Sequence, residues 1–175
     1  MGTMFRRGMR DDIPEIVKIY DKILELESEG KARTGWKKGV YPTEKTALDA
    51  LAQEELFVME QDGRILAAAR INQEQEKEYA QCRWEYDVSD SDIMVIHTLV
   101  VDPEFAGQGI GSSFIRFYEK YALECGCRYL RMDTNAINIP ARALYKKLGY
   151  SERGIIPCVF NGIGDVQLVC LEKRL

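Results

Sequence analysis

Apolar positions return at steps of three and four early in the chain. Ile13, Ile16, Val17, Tyr20, Ile23 and Leu24 fall on one side of a 3.6-residue repeat and predict an amphipathic helix over 11–30. Asp12 stands where an N-cap is needed and Gly30 where a helix stops. A shorter helix follows over 43–55, with Thr43 as its cap and Glu44 in its first turn. Between the two, "TGWKKGVYP" (34–42) has the glycines and proline of a loop. Residues 4–10, "MFRRGMR", read as a first strand; Met1–Thr3 reads as an expression remnant and is left out of the fold.

The pattern then shortens. "LFVMEQDGRILAAARI" (56–71) is two apolar runs around Asp62-Gly63, a strong hairpin signal. "YAQCRWEYDV" (79–88) is less regular and reads as an extension of that meander. "DIMVIHTLVV" (92–101) is apolar on both faces, as a central buried strand is. Residues 109–125 return to helical spacing, with Ile110, Phe114, Phe117, Tyr118, Tyr121 and Cys125 on one stripe and Gly126 as the stop. "CRYLRMDT" is a strand, and "IPARALYKKLG" a short helix with Pro140 in its first turn and Gly149 past its end. "YSERGIIP" and "DVQLVCLEKRL" are the last two strands. The order gives a mixed α/β chain whose strand–helix–strand unit over 92–134 is expected to be a right-handed parallel crossover.

Composition narrows the function. The 175 residues suit one domain, and 46% hydrophobic content supplies a core. No apolar run reaches about 18 residues, so no membrane span is expected, and the N-terminus lacks a signal-peptide core. Five scattered cysteines without a CxxC pair, beside a single histidine, give no zinc pattern and fit reduced thiols in a cytoplasm. The net charge of −4 weighs against nucleic acid and membrane surfaces as partners.

The stretch "VDPEFAGQGIGSS" joins an apolar strand to a helix through Gly107, Gly109 and Gly111. A helix N-terminus offers unpaired N–H groups and partial positive charge, and glycines let a backbone close on an anion. The stretch is not a Walker A loop, since no lysine precedes Ser112, and its GxGxG spacing is not the dinucleotide GxGxxG. A tight connection without a ligand has the same form, so the loop alone does not decide. Downstream, "NAINIPARALYKKLGY" places Asn138 at a helix start and Tyr145 two turns on, on the face of Ala141 and Leu148.

Together these stretches resemble the GNAT superfamily of N-acetyltransferases. "VDPEFAGQGIG" is similar to its cofactor loop, Gln/Arg-x-x-Gly-x-Gly/Ala after a V-x-P strand end. "NIPARALYKKLGY" matches Asn-x-x-Ala-x-x-Leu-Tyr-x-x-x-Gly-Phe/Tyr throughout. One position departs: Ala106 stands where the family has Gln or Arg, which removes a hydrogen bond and makes Gln108 or Arg142 the replacements to look for. The resemblance covers about 92–150 well and the element order elsewhere. It implies one acyltransferase domain over 1–175, with a central mixed, twisted sheet of about seven strands and about four helices.

The resemblance also implies chemistry. Acetyl-CoA is the donor and an amine, small-molecule or peptide, the acceptor; no metal takes part, and dimers are frequent among such proteins. The pyrophosphate would lie on the N–H groups of Gly107, Gln108, Gly109, Ile110, Gly111 and Ser112. The pantetheine arm would pair with Leu99, Val100 and Val101, and Asn138 would bond the cofactor. The strands holding Val101 and Arg131 would splay to admit the thioester, with a backbone N–H near Leu99 or Val100 facing the oxyanion. Tyr145 takes the place of the general acid for the leaving thiolate, with an ordinary pKa of about 10. His97, which strict alternation puts on the face of Leu99 and Val101, is the expected base; Glu85, Asp133 and a water chain are the alternatives. Trp36 and Tyr41 belong to a loop that lies over the acceptor in some members, although packing the loop to the core would explain them equally. A non-catalytic acyl-CoA sensor and an unrelated anion-binding domain remain as other readings.

Overall fold

The computed structural model describes residues 2–175. Its strands are β1 (Thr3–Arg7), β2 (Leu56–Gln61), β3 (Arg64–Asn72), β4 (Ile93–Val101), β5 (Tyr129–Asn135), β6 (Ser151–Phe160) and β7 (Ile163–Arg174). Its helices are α1 (Ile13–Ser28), α2 (Glu44–Ala52), α3 (Ile110–Glu124) and α4 (Ile139–Lys147). All seven strands form one sheet in the order β1-β2-β3-β4-β5-β7-β6. Only β4 and β5 run parallel, joined through α3; every other neighbouring pair is antiparallel.

The sheet is covered on both faces. On one, α3 buries Ile110, Phe114, Ile115 and Tyr118 against Met94, Ile96, Leu130 and Met132. On the other, α1 and α2 pack Ile16, Ile19, Tyr20 and Ala47 on Val58, Ile65 and Val100. The carboxyl-terminal half of that second face has no helix. It is closed by residues 73–92, which bury Tyr79 against Val95, Ile156 and Leu168.

Several expectations are corrected. Thr3 is paired with Gln61 in β1, so the strand includes part of the segment set aside as a remnant. Asp12 precedes α1, but its carboxylate accepts from Met9 N (2.7 Å) and from Arg6 (2.7 and 2.9 Å) and does not cap the helix. The segment 79–88 is not a strand. Short 3-10 turns at Lys77–Gln81 and Asp90–Asp92 bracket a cover held by side chains. Trp84 Nε1 donates to Tyr79 O (2.8 Å), and Arg131 lies over the Trp84 ring while donating to Gln75 and Tyr86. The last hairpin is longer than expected. β6 and β7 meet at Asn161-Gly162, where both residues have positive φ, the same turn chemistry as Asp62-Gly63.

Two irregularities in β4 make the site. β4 and β5 are paired only at Ile93↔Tyr129, Met94↔Leu130 and Val95↔Arg131, and beyond Val95 and Arg131 the strands part. The Tyr118 hydroxyl sits at that fork, donating to Met94 O at 2.6 Å with Arg131 O at 3.3 Å. On its other edge β4 carries a bulge: Ala68 opposes Val100 but Arg70 opposes His97, and Thr98 takes φ 52°.

Candidate active site

The loop after β4 is built from its own backbone. Asp102, almost fully buried, accepts from Glu104 N (3.0 Å) and is held by Lys22 (3.1 Å) and Arg64 (3.2 Å). Those partners keep its carboxyl below the usual range against the upward push of burial. Gly107 and Gly109 both take left-handed φ, 78° and 75°, and a Cβ on either would point into open space. Gly109 is the N-cap of α3 and offers no side-chain cap; the first turn bond is Ser113 N to Gly109 O at 3.0 Å. The six N–H groups from Gly107 to Ser112 have no acceptor among the described residues. Gly111 faces α4, where a Cβ would lie in ordinary contact with Leu144 at 3.4 Å.

A cavity of about 240 Å³ runs from this helix start through the fork. Leu99, Val100, Val101, Gly111, Asn138 and Tyr145 line one end, so these expected positions are brought together. Gly107, Gln108, Gly109, Ile110 and Ser112 stand outside it, on the loop and first turn. Asn138 caps α4 through Oδ1 to Ala141 N (3.3 Å), which leaves its Nδ2 free to donate. Tyr145 has no hydrogen-bond partner among the described residues, and burial, then the charge of Asp133, push its hydroxyl up to about 12. Arg142 does not replace the missing Gln/Arg: Glu152 takes its guanidinium at 2.7 and 2.9 Å, and Ala136 O accepts from Nη1. Gln108 remains exposed beside the loop.

Trp36, Tyr41, His97, Asp133 and Phe160 line the other end. Trp36 and Tyr41 meet edge to face at 5.8 Å, and the Tyr41 hydroxyl bonds Thr98 Oγ1. Gly35 brings this loop onto β5, where a Cβ would strike the Asn135 amide at 2.3 Å. A second cavity of about 360 Å³ adjoins, sharing Tyr41, Glu76, His97, Thr98 and Asn161. Glu85 lies at neither: its backbone N–H donates to Glu172, and its carboxylate bonds Arg153. Among the described residues no group of three or more His, Cys, Asp or Glu side chains is placed to hold a metal ion, and no helix is long and apolar enough to cross a membrane.

His97 is not on the face of Leu99 and Val101. The bulge at Thr98 inserts one residue and reverses the alternation, so His97 points with Val95 while Leu99 and Val101 point with Ile96 toward α3. Its ring is clamped. Asn72 donates Nδ2 to Glu55 (3.0 Å) and accepts from Glu74 N at Oδ1 (3.0 Å), which fixes the amide. His97 Nε2, 2.7 Å from that Oδ1, is therefore a donor, and Nδ1 faces the Glu76 carboxylate at 3.1 Å. Neither nitrogen turns a lone pair to the cavity. Nothing in the spacing of Asn72, Glu76 and His97 announces this clamp.

The model of the acetyltransferase (GNAT) family matches residues 20–150. The chain belongs to that family. Among its relatives is the uncharacterized N-acetyltransferase MJ1207 of Methanocaldococcus jannaschii, 26% identical over 157 residues; the match takes in 86% of this chain and 62% of that one. The chain thus spans less than two thirds of the length of that relative. A GNAT acetyltransferase of Streptococcus agalactiae superposes with TM-score 0.84 at 18% identity, covering 100% and 96% of the two chains. The yncA protein of Salmonella typhimurium, solved with its cofactor acetyl-CoA, superposes with TM-score 0.69 at 17% identity over 100% and 95%. At these identities the structures establish the fold that this GNAT chain shares.

Proposed function

We propose that this GNAT protein transfers an acetyl group from acetyl-CoA to a primary amine, by direct attack of the amine on the thioester. The supporting observation is the opening of the β4–β5 fork beside six unbonded N–H groups, with the Tyr145 hydroxyl in the same cavity. The residues fit the donor. Gly107 and Gly109 leave room for a pyrophosphate against their N–H groups, the free edge of β4 from Ile96 to Val101 can pair with the amides of the arm, and Asn138 Nδ2 can donate to it. The coenzyme supplies an activated acyl group and a thiol leaving group; the chain supplies position and protons. The N–H groups of the free β4 edge would stabilise the oxyanion, and Tyr145 would protonate the departing sulfur. The burial that raises Tyr145 also disfavours a free thiolate, so donor and acceptor of that proton shift in the same direction.

Trp36 and Tyr41 would wall the acceptor, and clamped His97 would position it at the boundary of the two cavities. Five free cysteines support a cytoplasmic setting. Calorimetry with CoA, joined to thiol release from acetyl-CoA with spermidine, lysine, kanamycin and an alanine-initiated peptide, tests the reading. Saturable CoA binding with amine-dependent thiol release is expected. Binding without release on any amine would leave a sensor, and no CoA binding would remove the donor site.

A further inference from the structure

We propose that Asp133, oriented by Tyr79, accepts the proton that the acceptor ammonium must lose before it attacks; the inference rests on the acetyl-transfer reading above. Asp133 lies two residues beyond the last β4–β5 pair, on the β5 arm of the fork, and is held from behind by its pairing with Cys170 of β7. Met132 packs toward α3, so Asp133 points to the opposite face, toward Tyr79 and the acceptor end of the cavity. The Tyr79 hydroxyl donates to Oδ2 at 2.6 Å from a ring that is 1% exposed, which fixes the carboxylate. No other hydrogen bond and no ion pair reaches Asp133 among the described residues, so Oδ1 is left to the cavity.

The surroundings ask for a cation. Glu76 and Glu78 face Asp133 from the covering segment, Tyr41 from the loop, Tyr145 from α4, and the Cys158 and Cys170 thiols from β6 and β7. Two basic side chains stand near it and both are committed elsewhere: His97 to Glu76, and Arg131, two residues back on the same face of β5, to Glu172. A carboxylate in such a place has no ion pair of its own among the described residues, and an ammonium ligand supplies one. The protons then balance. R–NH3+ gives one to Asp133 and becomes the amine that attacks the acyl carbon. The C–N bond forms, the C–S bond breaks, Tyr145 protonates the sulfur, and the nitrogen's second proton restores Tyr145. Asp133 returns its proton to solvent.

Burial pushes Asp133 up to about 6; the Tyr79 hydrogen bond and His97 pull it down, and Glu76 and Glu78 push it up. Below that value the carboxyl is protonated and cannot act, so kcat/KM must fall as pH drops through about 6. The test is the pH profile of kcat/KM for thiol release, with whichever of spermidine, lysine, kanamycin or the peptide turns over. Asp133→Asn should lower kcat/KM by at least about 10²-fold and abolish the acid limb, with CoA affinity unchanged. Tyr79→Phe should keep the carboxylate and move the limb to higher pH. Carbon-13 NMR of the wild type should show one aspartate carboxyl, missing from Asp133→Asn, titrating near 6. An Asp133→Asn profile that keeps the wild-type limb would overturn the proposal, as would an Asp133 carboxyl titrating at the ordinary value of about 3.9. Wild-type protein that binds CoA but acetylates none of the four amines would instead overturn the transfer reading, and this proposal with it.

Discussion

The two ends of the cavity are built by different means. The end proposed for the donor is a matter of backbone: positive φ at Gly107 and Gly109, free N–H groups through Ser112, an open β4 edge and the capped start of α4. Its residues lie in two stretches, 99–112 and 138–145. The end proposed for the acceptor is a matter of side chains brought from many elements, among them the 34–42 loop, β3, the 73–92 cover, β4, β5 and the β6–β7 turn. A site made of backbone tolerates most side-chain change, so the proposed donor site would accommodate Ala106 where the family has Gln or Arg. A site made of side chains is free to change its ligand with each substitution, and needs buried partners to hold each group in place.

Tyr145 belongs to the donor motif but lies at the junction, and as the proposed general acid its replacement should have the largest effect. Tyr145→Phe removes one hydroxyl that has no structural hydrogen bond and keeps the ring in the core. Turnover should fall by about 10²–10⁴-fold with CoA affinity nearly constant. Steady-state kinetics beside calorimetry measures both, and unchanged turnover would remove Tyr145 as the acid.

Gly109→Val attacks the donor end alone. A β-branched side chain at φ 75° is strained, and its Cβ enters the space beside the N–H groups. CoA affinity should drop by about 10²-fold, or roughly 2.7 kcal/mol, while the acceptor residues stay in place. Calorimetry decides, with circular dichroism to show that the fold persists. Equal affinity would mean that the loop does not cradle the pyrophosphate.

The same division explains what could be read from the sequence. Regular spacing gave α1, α3 and the Asp62-Gly63 hairpin, because one-faced burial and turn chemistry are local. The glycine loop and the Asn138 cap are legible for the same reason, since glycine spacing and an Asn cap act within a few residues. The 79–88 segment was misread because its order comes from Trp84, Arg131 and Tyr79 contacts that no periodicity encodes. The β6–β7 turn was legible but missed: Asn161-Gly162 is as strong a signal as Asp62-Gly63. His97 was placed on the wrong face because alternation assumes an unbroken strand, and one residue at Thr98 reverses everything after it. The Tyr79–Asp133 bond spans 54 positions and leaves no mark in either neighbourhood.

The fork joins the two ends, and Tyr118 lets their coupling be tested with the mildest change. Its hydroxyl is fully buried and donates to Met94 O at the point where β4 leaves β5. Burial pushes that hydroxyl well above its ordinary range, so it remains a donor at every working pH. Tyr118→Phe should keep the packing of α3 but leave Met94 O without this donor, at a cost of about 1 to 2 kcal/mol in stability by denaturant unfolding. The two strand arms would then be less firmly held apart. Because the donor would pair with one arm and Asp133 rides on the other, their relative position would loosen while each half stays intact. CoA binding should change little and kcat should fall several-fold. A kcat equal to wild type, with the stability loss present, would show that the fork holds its shape without this hydroxyl, through the paired stretch from Ile93 to Val95 alone.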